Sequence, residues 1–308
     1  MHKWLYTVKS EEAQMRLDHL LRTKLHLTRK QISRLKFIEH GIMVNQHSVR
    51  TNYIVKNGDE IALLLQQPCI INEIPPLSIP LSILYETNDF IAVHKPSGLT
   101  FHPSPGHYYD TLSIQLDHLL KIKGRGTRLY AVGRLDKDTS GIALFAKHTI
   151  SAQRLLKQRA EGILKKEYLA IVHGHTPAKG TITSPIRKKA DMLNFMEVHP
   201  EGKEAFTQFE QIHANEHFSL LRVQIKSGRT HQIRVHMQSI HHPIVGDPLY
   251  GNKDEKYPLC LFAHQLQLQD PFTEEMIYIE DPDQSFASYY YQIFKMGDDD
   301  NVSKDAQK

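Results

Sequence analysis

The strongest constraint on the fold is the run Ile142-Ala143-Leu144-Phe145-Ala146. A short, unbroken apolar stretch bounded by turn formers reads as a strand buried inside a sheet. The residues before it, Asp138-Thr139-Ser140-Gly141, are a turn of small and polar side chains. Before that, Ala131-Val132-Gly133-Arg134-Leu135-Asp136 is a short apolar entry that ends at an arginine and an acid. Asp136 therefore sits where the chain leaves one element and turns into the next, a position from which a rigid scaffold displays functional side chains. A nearby cation favours the charged form of a carboxylate, and an ionised, poorly hydrated carboxylate is a nucleophile or a base. The same residues also admit a structural reading, in which Asp138 closes the turn and Asp136 pairs with Arg134.

A chain of 308 residues has room for about two domains, and 40% apolar with 23% charged residues is ordinary for a soluble globular protein. No apolar run approaches the roughly 20 residues needed to span a bilayer, and Met1-His2-Lys3-Trp4-Leu5-Tyr6 lacks the apolar core of a signal peptide. No membrane partner is expected. Cys69 and Cys260 are too few and too far apart for a disulfide framework or a metal site, so the expected location is the cytoplasm. His236, His241 and His242 cluster, but no carboxylate or cysteine stands at a zinc-site spacing. No glycine-rich phosphate loop is present either. Neither metal nor cofactor is expected.

The net charge of +4 says little alone; its distribution says more. Positive charge gathers near the N-terminus, where Ser10 can cap a helix carrying Leu17, Leu20 and Leu21, and Thr28 a second carrying Ile32, Leu35 and Ile38 with Gly41 as its stop. Outward positions of this pair include Arg29, Lys30, Arg34 and Lys36, an electrostatic footprint for a phosphate backbone. A hairpin over 42–49 and a strand over 60–65 follow. Gln66, Gln67, Pro68, Pro75, Pro76 and Pro80 mark a linker that cannot continue a sheet. The chain thus divides into a basic module (1–66), a linker (67–80), a larger module (81–296) and an apolar-poor tail (297–308) expected to be disordered. In the larger module, strands are expected at 83–86 and 90–93, and a helix over 111–121 capped near Asp110. Another helix spans 151–160, a strand 165–172, and a last helix, capped by Thr230, runs to about Ser239.

Several of these segments resemble one family. Arg134-Leu135-Asp136, Thr139, Ser140 and Gly141 are similar to the signature His-Arg-Leu-Asp-x-x-Thr-Ser-Gly of the RluA-like RNA pseudouridine synthases, with Gly133 where that family usually has histidine. Lys-Pro-x-Gly is met at Lys95-Pro96-Ser97-Gly98, and Lys-x-Tyr-x-Ala-x-Val at Lys166 to Val172. Ser227-Gly228-Arg229-Thr230-His231-Gln232-Ile233-Arg234-Val235-His236 resembles a further family motif. The N-terminal Arg16-Leu17-Asp18, Thr28-Arg29, Gly41, Val44-Asn45 and Gly58-Asp59 resemble an S-four-type RNA-binding domain. The resemblance covers nearly the whole chain to about residue 290.

The resemblance implies an α+β fold: a mixed, mostly antiparallel sheet flanked by helices, with the active cleft on one face and a small α/β RNA-binding domain in front. It implies isomerisation of specific uridines in RNA to pseudouridine. Asp136 would be the nucleophile on the anomeric carbon or a base at the sugar, Arg229 its ion-pair partner, Tyr168 the residue stacked on the base, and Arg134 the residue that aids base flipping. Arg29, Lys30, Arg34 and Lys36 would contact RNA phosphates, which position without specifying. The expected partner is RNA, ribosomal more than transfer RNA, and the expected state a monomer. Two rivals remain: a non-catalytic RNA-binding protein of the same fold, and a glycosidic hydrolase, which needs a second acid beside Asp136.

Overall fold

The computed structural model describes residues 3–38, 40–64, 80–104, 107–126, 128–190, 192, 194–252 and 256–305, with side chains as far as Lys295. Except for Pro80, the expected linker lies outside the described residues, as does Cys69.

The N-terminal module opens with β1 (Lys3–Thr7), continues through α1 (Leu17–Thr23) and α2 (Arg29–Lys36), and ends with β2 (Ile42–Val44), β3 (His47–Ser48) and β4 (Glu60–Leu64). The strands form one sheet in the order β1-β4-β2-β3. Thr28 caps α2 as expected: its hydroxyl accepts from the Gln31 amide, and the Gln31 side chain reaches back to the Thr28 backbone. Gly41 ends the turn after α2, where an added Cβ would lie 2.2 Å from the Leu35 carbonyl. Ser10 does not cap α1. It opens a single 3-10 turn, Gln14 then takes positive φ, and the helix begins only after Arg16.

The second module contains β5 (Ile83–Glu86), β6 (Phe90–Lys95), α3 (Leu112–Ile122), β7 (Tyr130–Ala131), β8 (Ser140–Ala146), α4 (Thr149–Glu161) and β9 (Lys165–His173). It continues with β10 (Lys179–Ile182), β11 (Ile186–Lys188), β12 (Met196–Val198), β13 (Thr207–Ala214), β14 (Phe218–Ile225) and α5 (Gln232–Ser239). It closes with β15 (Leu261–Gln269), β16 (Met276–Glu280) and α6 (Ser285–Asp305). A ten-stranded sheet runs β10-β13-β14-β9-β15-β8-β6-β5, with β16 added on β15 and β7 on β8. Its pairings are antiparallel except for β15 with β8. The fold is therefore the expected mostly antiparallel mixed sheet with helices.

The apolar run of β8 is explained by burial on both faces. Ala143 and Phe145 join the core under α3, α5 and α6 with Leu112, Leu116, Ile233 and Phe286. Ile142, Leu144 and Ala146 point the other way, onto Ala152 and Leu155 of α4. Strand side chains alternate in direction, so a strand covered on both sides loses its polar positions. Each large side chain taken fully out of water contributes about 1.5–3 kcal/mol. Gly141 is required where β8 meets β15: φ is +107°, and a Cβ would lie 2.3 Å from the Ala263 carbonyl oxygen.

Two local expectations are corrected. The residue preceding α3 is Thr111, which makes no capping hydrogen bond, instead of a cap at Asp110. The residue preceding α5 is His231, in the left-handed region at φ +54°, instead of Thr230. The backbone of α6 is helical to Asp305. The N-terminal module is held against the second one by Arg154 of α4. Its guanidinium donates to the carbonyls of Pro271 (2.6 Å) and Leu25 (3.3 Å) and lies 4.7 Å from the Phe272 ring, which also packs on Trp4.

Candidate active site

Asp136 lies in the loop between β7 and β8, at the wall of a cavity of ≈ 320 Å³ that also meets Arg134, Tyr168, Arg229 and Arg234. The loop is pinned from beneath. Lys95, fully buried at the end of β6, donates to the carbonyls of Pro96 (2.8 Å) and Lys137 (2.7 Å). The Ser97 hydroxyl donates to the Asp138 carbonyl at 2.7 Å. Burial pushes the Lys95 ammonium down to about 7, against the pull of Asp138 and Asp136. The Lys-Pro-x-Gly segment thus holds the backbone that leaves Asp136, at Lys137 and Asp138.

The cation beside Asp136 is Arg234. Its Nη1 lies 3.8 Å from Asp136 Oδ2, while Nε and Nη2 grip the two oxygens of Asp247 at 2.8 and 2.6 Å. Asp247 in turn accepts from the backbone amides of Leu249 and Tyr250, and the guanidinium stands 5.3 Å from the Tyr250 ring. Arg234 is only 2% exposed. Burial works against its charge, but the hydrogen bonds and charge of Asp247, with Asp136 beyond, outweigh that and hold it above its ordinary value. This fork fixes the guanidinium so that its remaining nitrogen faces Asp136.

The expected Arg229–Asp136 pair is not formed. Arg229 precedes α5, is exposed, and donates through Nε to the Glu204 carbonyl at 2.9 Å. The reason is local. The Gln232 side chain folds the turn Ser227-Gly228-Arg229 back on α5, accepting from the Arg229 amide and the Ser227 hydroxyl. Arg229 therefore sits at the rim, whereas Arg234, in the first turn of α5, points inward. Asp247 was the missed signal: an arginine drawn fully inside needs a buried carboxylate, and the sequence does not show that pairing across 13 residues.

Tyr168 lies on β9 opposite Val223 of β14 and Ala263 of β15, and is 6% exposed. Burial raises its phenol well above the ordinary value, so the hydroxyl stays protonated. Arg134 is exposed and donates to the Thr230 hydroxyl at 2.5 Å, which uses the group expected to cap α5. His102 completes the wall; desolvation and then Arg134 lower its imidazole. The structure thus brings Asp136, Arg134, Arg229 and Tyr168 to one cavity. Arg29, Lys30, Arg34 and Lys36 are exposed together on α2, and none forms an ion pair among the described residues.

Such an arrangement can hold a planar polar ring against Tyr168 with a carboxylate and several cations beside it. Residues 89–239 match the family described as RNA pseudouridylate synthase, and residues 5–61 match the RluD ribosomal pseudouridine synthase N-terminal domain. The chain is 38% identical over 245 residues to the uncharacterized RNA pseudouridine synthase YhcT of Bacillus subtilis, covering 78% of this chain and 81% of that one. It is 36% identical over 255 residues to the ribosomal large subunit pseudouridine synthase D of Blochmanniella floridana, covering 80% and 78%. Among solved structures, human RNA pseudouridylate synthase domain containing 1 superposes with a TM-score of 0.54 at 25% identity, over 67% of this chain and 84% of that one.

Proposed function

The chain belongs to the RluA-like family of RNA pseudouridine synthases, and from that premise we propose that it isomerises specific uridines of large-subunit ribosomal RNA, with Asp136 as nucleophile and the target base flipped out of its stack. The observation that carries this reading is the Asp136–Arg234–Asp247 arrangement in a cavity shared with Tyr168. The ribosomal assignment is supported by the match of residues 5–61 to the RluD N-terminal domain and by the likeness to large-subunit enzymes. Transfer RNA is the other substrate class to be tested.

The reaction needs no redox partner or energy source. The bond from the sugar's anomeric carbon to N1 breaks, the uracil turns, and the same carbon bonds to C5. The proton on C5 leaves and N1 takes one up. A stacked base is out of reach, so it must be extruded at a cost of a few kcal/mol. Arg134, exposed at the mouth, fills the gap or braces the phosphate. Tyr168 stacks on the uracil face, a contact that needs no hydrogen-bond code. Arg234 aims Asp136 at the sugar. Arg29, Lys30, Arg34 and Lys36 hold the RNA backbone from the N-terminal module.

The experiment is a map of pseudouridines in ribosomal and transfer RNA from cells lacking the protein. Loss of a discrete set in large-subunit RNA, restored by wild type and not by Asp136→Asn, supports the proposal. Loss confined to transfer RNA would move the substrate, and an unchanged map in both would refute the proposed function.

A further inference from the structure

A second cavity, of ≈ 460 Å³, lies next to the first. Gly133, Arg134, Arg159, Tyr168 and Ile225 line both, so the two are neighbours across one wall. Buried Val132 and Leu164, with Phe206, give the second cavity an apolar side. Exposed Lys165 and Lys226 give it a cationic one, against the single acid Glu161. Lys226 stands 4.4 Å from the Phe206 ring. Lys166 is turned aside: its ammonium donates to the Ile142 carbonyl at 2.6 Å, and burial, then Arg159, push it down to about 7.

Arg159 is the distinctive residue of the shared wall. It projects from the last turn of α4 between two glycines. A Cβ at Gly133 would lie 2.8 Å from its Nη1, and a Cβ at Gly228 2.0 Å from its Nη2. The guanidinium thus uses the space opened at residue 133, where the resembled signature carries histidine. Among the described residues it has no hydrogen bond and no ion pair. A cation in that position lacks a structural reason to be held there, and its planar fork suits a phosphate.

We propose that the second cavity is a subsite for the nucleotide next to the target uridine, and that Arg159 binds the phosphate linking the two. The inference rests on the first cavity being the uridine site. The order base pocket, guanidinium, apolar pocket with lysines matches base, phosphate, base along a strand. The phosphate would be read by charge, and the flanking base by its face against Phe206, so the subsite tolerates many sequences.

The test uses fluorescein-labelled decauridylate and the full-length protein, with binding followed by anisotropy from low to moderate KCl. Arg159→Gln should weaken binding about tenfold and lower the salt slope by about 0.7, the loss of one single-strand phosphate contact. Arg159→Lys should restore the slope, which a purely structural role would not do. Gly133→Ala should weaken binding by displacing the guanidinium, and adding it to Arg159→Gln should cost nothing further. Gln208→Trp, an exposed change on β13 that fills the second cavity, should weaken binding several-fold. Wild-type affinity and slope in Arg159→Gln, or unchanged affinity in Gln208→Trp, would overturn the subsite. Tritium release from RNA labelled at C5 of uracil, measured on the same preparations, separates the two levels. Release with no Arg159 effect refutes the subsite alone, whereas an Arg159 effect without release by wild type leaves a strand-binding cleft and refutes the uridine reading.

Discussion

Replacing Arg234 by glutamine tests how the site is built. The substitution removes a bidentate pair with Asp247 at 2.6 and 2.8 Å and the cation 3.8 Å from Asp136. Asp247 is 1% exposed and would be left as a buried carboxylate with only the amides of Leu249 and Tyr250. Breaking a buried pair from one side costs about 3–5 kcal/mol. At roughly 2–4 °C per kcal/mol for a domain of this size, the melting temperature should fall by about 10 °C. The effect on chemistry is separate. Two unit charges at about 4 Å interact by about 4 kcal/mol at an effective dielectric of about 20. Partial exposure of Asp136 reduces this, so a loss of about 10²-fold or more in turnover is expected, as for other preorganised charges. Arg229→Gln removes one exposed bond to the Glu204 carbonyl and should move the melting temperature by no more than a degree or two. Thermal unfolding and tritium release on both variants are the assays. Equal melting shifts in the two, or wild-type turnover by Arg234→Gln, would refute the assignment of Arg234 as the residue that aims Asp136.

Other consequences follow from the packing and charge. Gly141→Ala forces a Cβ onto the Ala263 carbonyl at positive φ and should lower the denaturation midpoint by an amount equal to several kcal/mol; a change under 0.5 kcal/mol would contradict the close approach of β8 and β15. Arg154→Met removes the bonds to Pro271 and Leu25, and limited proteolysis between the two modules should speed up; an unchanged cleavage rate would remove Arg154 as the clamp. Lys95 and Lys166 are held near 7 when folded and titrate near 10.5 when unfolded, so between those values the unfolded chain binds more protons and their contribution to stability rises with pH. Accordingly, wild type should gain stability over Lys166→Met between pH 7 and 9.5 in denaturant titrations, and a constant difference would contradict the burial of that ammonium. Neutralising Arg29, Lys30, Arg34 and Lys36 together should flatten the salt dependence of RNA binding; an unchanged slope would take α2 off the RNA.

The parts of this fold that the sequence made legible are those governed by local pattern. The unbroken run at β8, the Thr28 cap and the strand at β9 each follow from residues within one element. The failures share a different cause. Ser10 and Thr230 are good capping residues, but a positive φ at Gln14 and at His231 moved each helix start downstream. Arg229 and Arg234 stand in the same motif, and nothing local says which turns inward; that is decided by Asp247, placed beneath α5 by a later segment. Arg159 was likewise invisible, because the space it fills is opened by glycines in two other loops.

The most direct test of the central claim is tritium release from cellular RNA labelled at C5 of uracil, taken from a strain lacking this protein and supplied both as free RNA and as precursor ribosomal particles. Wild type should release tritium and Asp136→Asn should release none while binding RNA with similar affinity. Release by Asp136→Asn at the wild-type rate would contradict the assignment of Asp136, and no release by wild type from either substrate would contradict the proposed activity itself.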